Sequence, residues 1–232
     1  MKDKSSGYIR WISLIWAVLS FVLGIRFLKN NYSIGMNNVY SNVVSKSEQV
    51  LWLVIAILIA VSCIVLLVKF IVKAVLINGK ERQILIFSIP FLVVFIVFFI
   101  YKYVNSNSDV YSYFWGDEKN IWDAAVRLYP YFFVYTSEIF LVCFFILPIV
   151  LAPVIVKIVL ESLIMGYIMW RIKAHYKSNL VYIIYAFCLM PPFLTLGIEV
   201  HRMQWYGFLY LFAMVKLYMD IIEGGNINPI YG

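Results

Sequence analysis

The sequence predicts an all-α fold, a polytopic transmembrane helix bundle of six or possibly seven spans with an interfacial helix in an outer loop, and three observations predict it. Hydrophobic residues make up 64% of the 232 residues and charged ones only 13%, whereas a soluble globular domain has about 45–50% apolar and about 25% charged residues. Mean hydropathy is +0.89. The apolar residues are gathered into long blocks with short polar stretches between them, as they must be when roughly 20 residues rising about 1.5 Å each cross about 30 Å of hydrocarbon. Such blocks consume most of the chain, which reads as one transmembrane domain over residues 1–232 with no room for a soluble catalytic domain.

The first block, Ile9–Leu28, follows Met1-Lys2-Asp3-Lys4 and lacks a small-residue cleavage site, so it reads as a retained span rather than a removed signal. Further blocks are Val50–Ile77, Ile84–Tyr101, Tyr131–Val156, Leu180–Ile198 and Tyr206–Ile222. Val154–Trp170 decides between six and seven. It is long enough to cross, yet it carries Lys157 and Glu161, which at a spacing of four form one charged pair on a helix. Pro148 and Pro153 before it can break one helix and start another.

Basic residues orient the bundle. With the N-terminus inside, Lys2, Lys4, Arg10, Lys69, Lys73, Lys80 and Arg82 are cytoplasmic. If Val154–Trp170 does not cross, Arg171, Lys173 and Lys177 join them, which places ten of the 19 basic residues inside. That pattern favours six spans in the cell membrane, both termini cytoplasmic, with Val154–Trp170 re-entrant or interfacial and Gly166 allowing close packing. It also puts the Lys102–Pro130 loop and the Glu199–Trp205 turn on one outer face.

Those two stretches hold the polar candidates. The loop combines Asp109, Asp117, Glu118 and Asp123 with aromatic residues including Trp115, and Ile121, Ala124, Ala125 and Leu128 recur at helical spacing, so 117–128 forms an amphipathic helix. Its bland reading is an aromatic belt around a solvated turn. Its functional reading makes Asp109 or the Asp117-Glu118 pair a general base or a cation ligand under an aromatic platform. In the second stretch Arg202 offers a fixed donor fork to a phosphate and His201 a proton carrier, or the cluster simply caps the helices around it. Glu138, Lys157, Glu161 and Lys216 lie inside apolar runs, where ionisable groups are costly. Glu138 shares a helical face with Tyr131 and Tyr135, and Lys216 pairs with Asp220 one turn on.

Cys63, Cys143 and Cys188 sit singly in apolar runs as small hydrophobes, and no Cys/His spacing suits a metal. No nucleotide-binding, kinase, hydrolase or metalloprotease motif occurs, so no cofactor is specified. The net charge of +7 is spent on membrane orientation rather than on nucleic acid. Membrane lipids are the expected partners.

Long apolar helices, an Asp-bearing aromatic outer loop and the late Arg202-to-Tyr206 turn together resemble the multi-pass envelope glycosyltransferases that use lipid-linked sugars, and the related polysaccharide polymerases. The resemblance covers residues 102 to 210. It implies that Asp109, Asp117 or Glu118 acts near a transferred sugar and that Arg202, with His201, Glu138 and Trp115, binds the lipid-linked donor. Those enzymes are longer, and their acidic loop commonly follows the first span. Two other functions fit the same chain: a permease subunit of an ATP-driven exporter, coupling through the Asn78–Gln83 turn or the Arg171–Asn179 stretch, and a non-catalytic immunity or scaffold protein that binds a membrane partner.

Overall fold

The computed structural model describes residues 2–31, 45–77, 79–105, 117–128, 134–199 and 202–223; within these, the side chains of 2–5, 104, 105, 117–119, 134–136, 196 and 202–204 lie outside the description. All regular structure there is helical: α1 (Lys2–Asn31), α2 (Lys46–Leu76), α3 (Lys80–Asn105), α4 (Asp117–Val126), α5 (Val134–Ile146), α6 (Ala152–Tyr176), a 3-10 turn (Asn179–Tyr182), α7 (Ile183–Cys188), α8 (Pro191–Ile198) and α9 (Arg202–Ile222). The chain divides into two compact units, residues 1–81 with 109–156, and residues 82–108 with 157–232.

Five of these helices, α1, α2, α3, α6 and α9, are long and apolar enough to cross a membrane. Large aliphatic side chains such as Leu14, Val22, Leu58, Leu66, Val93 and Val97 stand exposed along them. Water would not tolerate so much apolar surface, and hydrocarbon would. The fold is therefore an all-α polytopic membrane bundle. Its crossings differ in kind from those read in the sequence. Tyr131–Val156, expected as one span, is instead broken: α5 stops at Ile146 ahead of Pro148, and Pro153 stands in the first turn of α6. Val154–Trp170, expected as a re-entrant or interfacial helix, lies within the unbroken 25 residues of α6. Leu180–Ile198, expected as one span, is divided.

That division has local causes. Lys177 adopts a left-handed backbone, φ 52°, and ends α6. The Ser178 hydroxyl then accepts from the Leu180 amide and caps the 3-10 turn. α7 stops at Cys188 ahead of Pro191 and Pro192, which lack amide donors and occupy the start of α8, where none is needed.

In the first unit, Ala56, Ala60, Ile64, Val68 and Val72 recur every four residues along α2 and form its buried stripe. Ile9, Trp16 and Ile146 pack against the lower part of it. The Ser45 side chain and Glu48 close a capping box at the start of α2. Trp16 Nε1 and Ser20 Oγ, one turn apart on α1, both donate to the Ile146 carbonyl, at 3.1 and 3.3 Å, and so satisfy an orphan acceptor at the end of α5. α4 forms as the sequence predicts, but it buries more than the expected stripe: Trp122 and Val126 are enclosed along with Ile121, Ala124 and Ala125. Trp122 meets Phe144 of α5 edge-on and donates to the Val150 carbonyl at 3.3 Å. α4 is thus packed onto α5 rather than laid on a surface by one face.

In the second unit, Gly166 of α6 meets Ser88 of α3 so closely that an added Cβ would sit 2.7 Å from the Ile84 carbonyl oxygen and 2.8 Å from the Ser88 nitrogen. The close packing expected of Gly166 is present. Trp170 Nε1 donates to Gln83 Oε1 at 2.9 Å, so the end of α6 lies beside the start of α3 and the two helices run antiparallel. Tyr167 packs on Phe212 of α9 at 5.1 Å between ring centroids, and Arg171 bonds Asp220, so α9 runs parallel to α6. The divided segment runs beside α3 in the same direction. Tyr185 Oη donates to the Phe87 carbonyl at 3.0 Å, Phe193 stacks on Phe95 at 5.9 Å, and Gly197 abuts Phe95. Residues 179–198 therefore run beside α3 from the level of Phe87 to that of Phe95, and Glu199 beyond them reaches Lys102.

Candidate functional site

Charged side chains collect at the two ends of the second unit. At the end where α3 finishes, Lys157 and Glu161 of α6 form the pair anticipated from their spacing, Nζ to Oε1 at 3.0 Å, and both are buried. The Lys157 ammonium also donates to the carbonyls of Gly197, at 3.3 Å, and Glu199, at 3.0 Å. Those carbonyls are orphan acceptors at the end of α8. The cation is thus held as a C-terminal cap, where the helix dipole favours positive charge. The Glu199 carboxylate is buried too and is paired with Lys102 near the end of α3. Four charges, two of each sign, lock α3, α6 and the end of the divided segment into one seam.

The seam contains an acceptor left open. Glu161 is in ion-pair reach of Lys157, but neither of its oxygens accepts a hydrogen bond of regular geometry. A buried carboxylate normally satisfies its lone pairs. Glu161 lies about 6 Å deeper along α6 than Lys157, at about 1.5 Å per residue, in a wall that includes buried Ser162.

At the opposite end, Arg171 bonds Asp220 through Nη2 and Glu223 through Nη1 at 3.1 Å, His175 Nδ1 stands 4.0 Å from Glu223, and Lys216 reaches Asp220 at 3.5 Å as its spacing predicts. Lys173 turns away to the Ser178 carbonyl and the Asn179 side chain and lies 5.3 Å above the Tyr182 ring. From Gln83 to Lys102, α3 covers about 28 Å, and from Lys157 to Lys173, α6 covers about 24 Å. The two charged layers are separated by about the thickness of a bilayer core.

The residues nominated from sequence fall differently. Asp109, Trp115 and His201 lie outside the described residues. Asp117 and Glu118 stand in the first turn of α4, in the first unit, and Arg202 is the first residue of α9, in the second. Glu138 is buried in α5, and its Oε1 has no hydrogen-bond partner among the described residues. Cys143 and Cys188 are buried as expected, whereas Cys63 is exposed on α2. Among the described residues no three of His, Cys, Asp and Glu are grouped to hold a metal ion. The Lys102–Glu199 pair joins the borders of the two stretches that the sequence sets on one face, but the pairing itself is invisible in sequence. Its only signal is that each residue is a lone charge at the edge of an apolar block. No family model, no curated protein and no solved structure matches the chain.

Proposed function

We propose that this chain is the membrane-embedded subunit of a cell-envelope transport system, a permease-type protein whose second unit carries the path. One observation supports the reading above the others: a divided crossing, 179–198, latched at its end by four mutually paired charges, with the buried Glu161 carboxylate lacking regular hydrogen bonds. Non-helical backbone at membrane depth is tolerated only where protein or a water-filled cavity surrounds it. Buried ion pairs are weak stabilisers, and apolar packing would often serve stability better. Their retention inside an apolar helix group therefore favours a working role, and broken helices beside buried charges are the recurrent construction of transporters.

The same reading orients the chain. Arg82, Arg171, Lys173 and Lys177 belong to one end of the second unit, and by the positive-inside rule that end is cytoplasmic. α1, α2, α3, α6, the divided segment and α9 then make six crossings with both termini inside, and α5 is not among them.

The test is aqueous access. Ser162→Cys, in a background lacking the three native cysteines, places a thiol beside Glu161 with little change of volume. A transport path predicts its modification by a small charged methanethiosulfonate in membranes, and a sealed scaffold predicts none.

A second reading, action on a lipid-linked sugar, draws on α4, which fixes Asp117 and Glu118 in one helical turn. It requires sugar transfer from a polyprenyl-linked donor that Asp109→Ala, Asp117→Ala, Glu118→Ala and Arg202→Ala each impair.

A further inference from the structure

The basic end of the second unit carries a groove of about 310 Å³, lined by Gln83, Ile86 and Phe87 of α3 and by Trp170, Lys173 and Ala174 of α6. We infer that it binds the headgroup of an anionic glycerophospholipid from the adjoining leaflet. Charge is the first argument. Among the described residues the Lys173 ammonium is held by neutral groups, the Ser178 carbonyl, the Asn179 side chain and the face of Tyr182. The acids of this end, Asp220 and Glu223, are instead bonded to Arg171. Lys173 is therefore paired with no acid among the described residues, and exposed Lys177 adds another cation four residues on.

Shape and place are the second argument. The groove pairs one cation and an amide with apolar walls, and Ile86 continues it onto the exposed flank of α3. A phosphate at Lys173, with acyl chains running along Ile86, satisfies both halves at once. The groove lies at the end of α6, about 24 Å from Lys157 by helical rise, which is the depth of a headgroup layer. A pocket of this volume suits a headgroup and is small for a folded protein partner. Basic pockets between helices on the cytoplasmic side commonly take anionic lipid headgroups.

The experiment offers purified, delipidated protein an equimolar mixture of phosphatidylglycerol and phosphatidylcholine with identical acyl chains, and counts the retained lipids by native mass spectrometry. The wild type is expected to retain phosphatidylglycerol preferentially. Lys173→Gln is expected to lower that preference about fivefold, the equivalent of about 1 kcal/mol for one basic residue at an anionic surface, and Lys173→Arg to keep it. Because Lys173 also ties down the turn after α6, Ala174→Trp supplies an independent probe: it fills the groove, keeps every charge, and is expected to expel the lipid at an unchanged melting temperature. Equal retention of the two lipids by the wild type overturns the inference. Wild-type preference in both Lys173→Gln and Ala174→Trp overturns it as well. Displacement of phosphatidylglycerol by millimolar glycerol phosphate overturns the lipid in favour of a soluble phosphate ester.

Discussion

Replacing Gly166 by alanine tests the α3–α6 seam on which the second unit rests. The new Cβ would lie 2.7 Å from the Ile84 carbonyl oxygen and 2.8 Å from the Ser88 nitrogen, where ordinary contact begins at 3.4 Å. Both obstacles are backbone atoms of one helix and neither can rotate aside, so α3 and α6 must part by about 0.7 Å. A radial gap of about 0.5–1 Å forfeits a quarter to a half of each dispersion contact it opens, and overpacking of this kind costs about 1–3 kcal/mol. Alanine's better helix propensity returns about 1 kcal/mol. The net expectation is a loss of up to about 2 kcal/mol, seen as a lower melting temperature in nanodiscs and a weaker Trp170–Gln83 bond. Gly207→Ala in α9 is the control, since a Cβ there meets nothing within 4 Å; it should be neutral or stabilising. If Gly166→Ala proves as stable as Gly207→Ala, the close approach is wrong.

The remaining expectations follow from the same contacts. Lys157→Met leaves Glu161 buried without its cation and should cost about 3–5 kcal/mol; adding Glu161→Leu should restore most of that stability, checked by thermal unfolding. Arg171→Lys cannot span Asp220 and Glu223 together and should lose about 1–2 kcal/mol, checked by thermal unfolding. Trp16→Phe removes one of two donors to the Ile146 carbonyl and should cost about 1 kcal/mol; combined with Ser20→Ala it should cost more than the sum, because the acceptor is then orphaned.

Periodic, local features are legible in the amino-acid order itself. Spacing of four marks Lys157–Glu161 and Lys216–Asp220, proline placement marks the boundary between α5 and α6, and apolar residues at helical spacing mark α4. What sequence hides is pairing over distance. Lys102 with Glu199 and Arg171 with Asp220 are brought together by helix packing, which leaves no periodic trace along the chain. Composition also misleads over the crossings. Leu180–Ile198 is as apolar as an intact span, and its division depends on the backbone at Lys177 and the missing amides of Pro191 and Pro192. The Arg171–Lys177 cluster argues against a crossing by Val154–Trp170 only while Tyr131–Val156 is counted as a span, and α5 is too short for that. The acids of the Lys102–Pro130 stretch, prominent by composition, include Asp117 and Glu118, which belong to a different unit from Arg202.

The central claim is that the divided segment crosses the membrane. Single cysteines at Ser178, before it, and at Tyr206, after it, in a background without Cys63, Cys143 and Cys188, test this with a membrane-impermeant maleimide applied to sealed vesicles of each orientation. The account predicts labelling from opposite faces, position 178 from the cytoplasmic side and position 206 from the other. Labelling of both from the same face would contradict it.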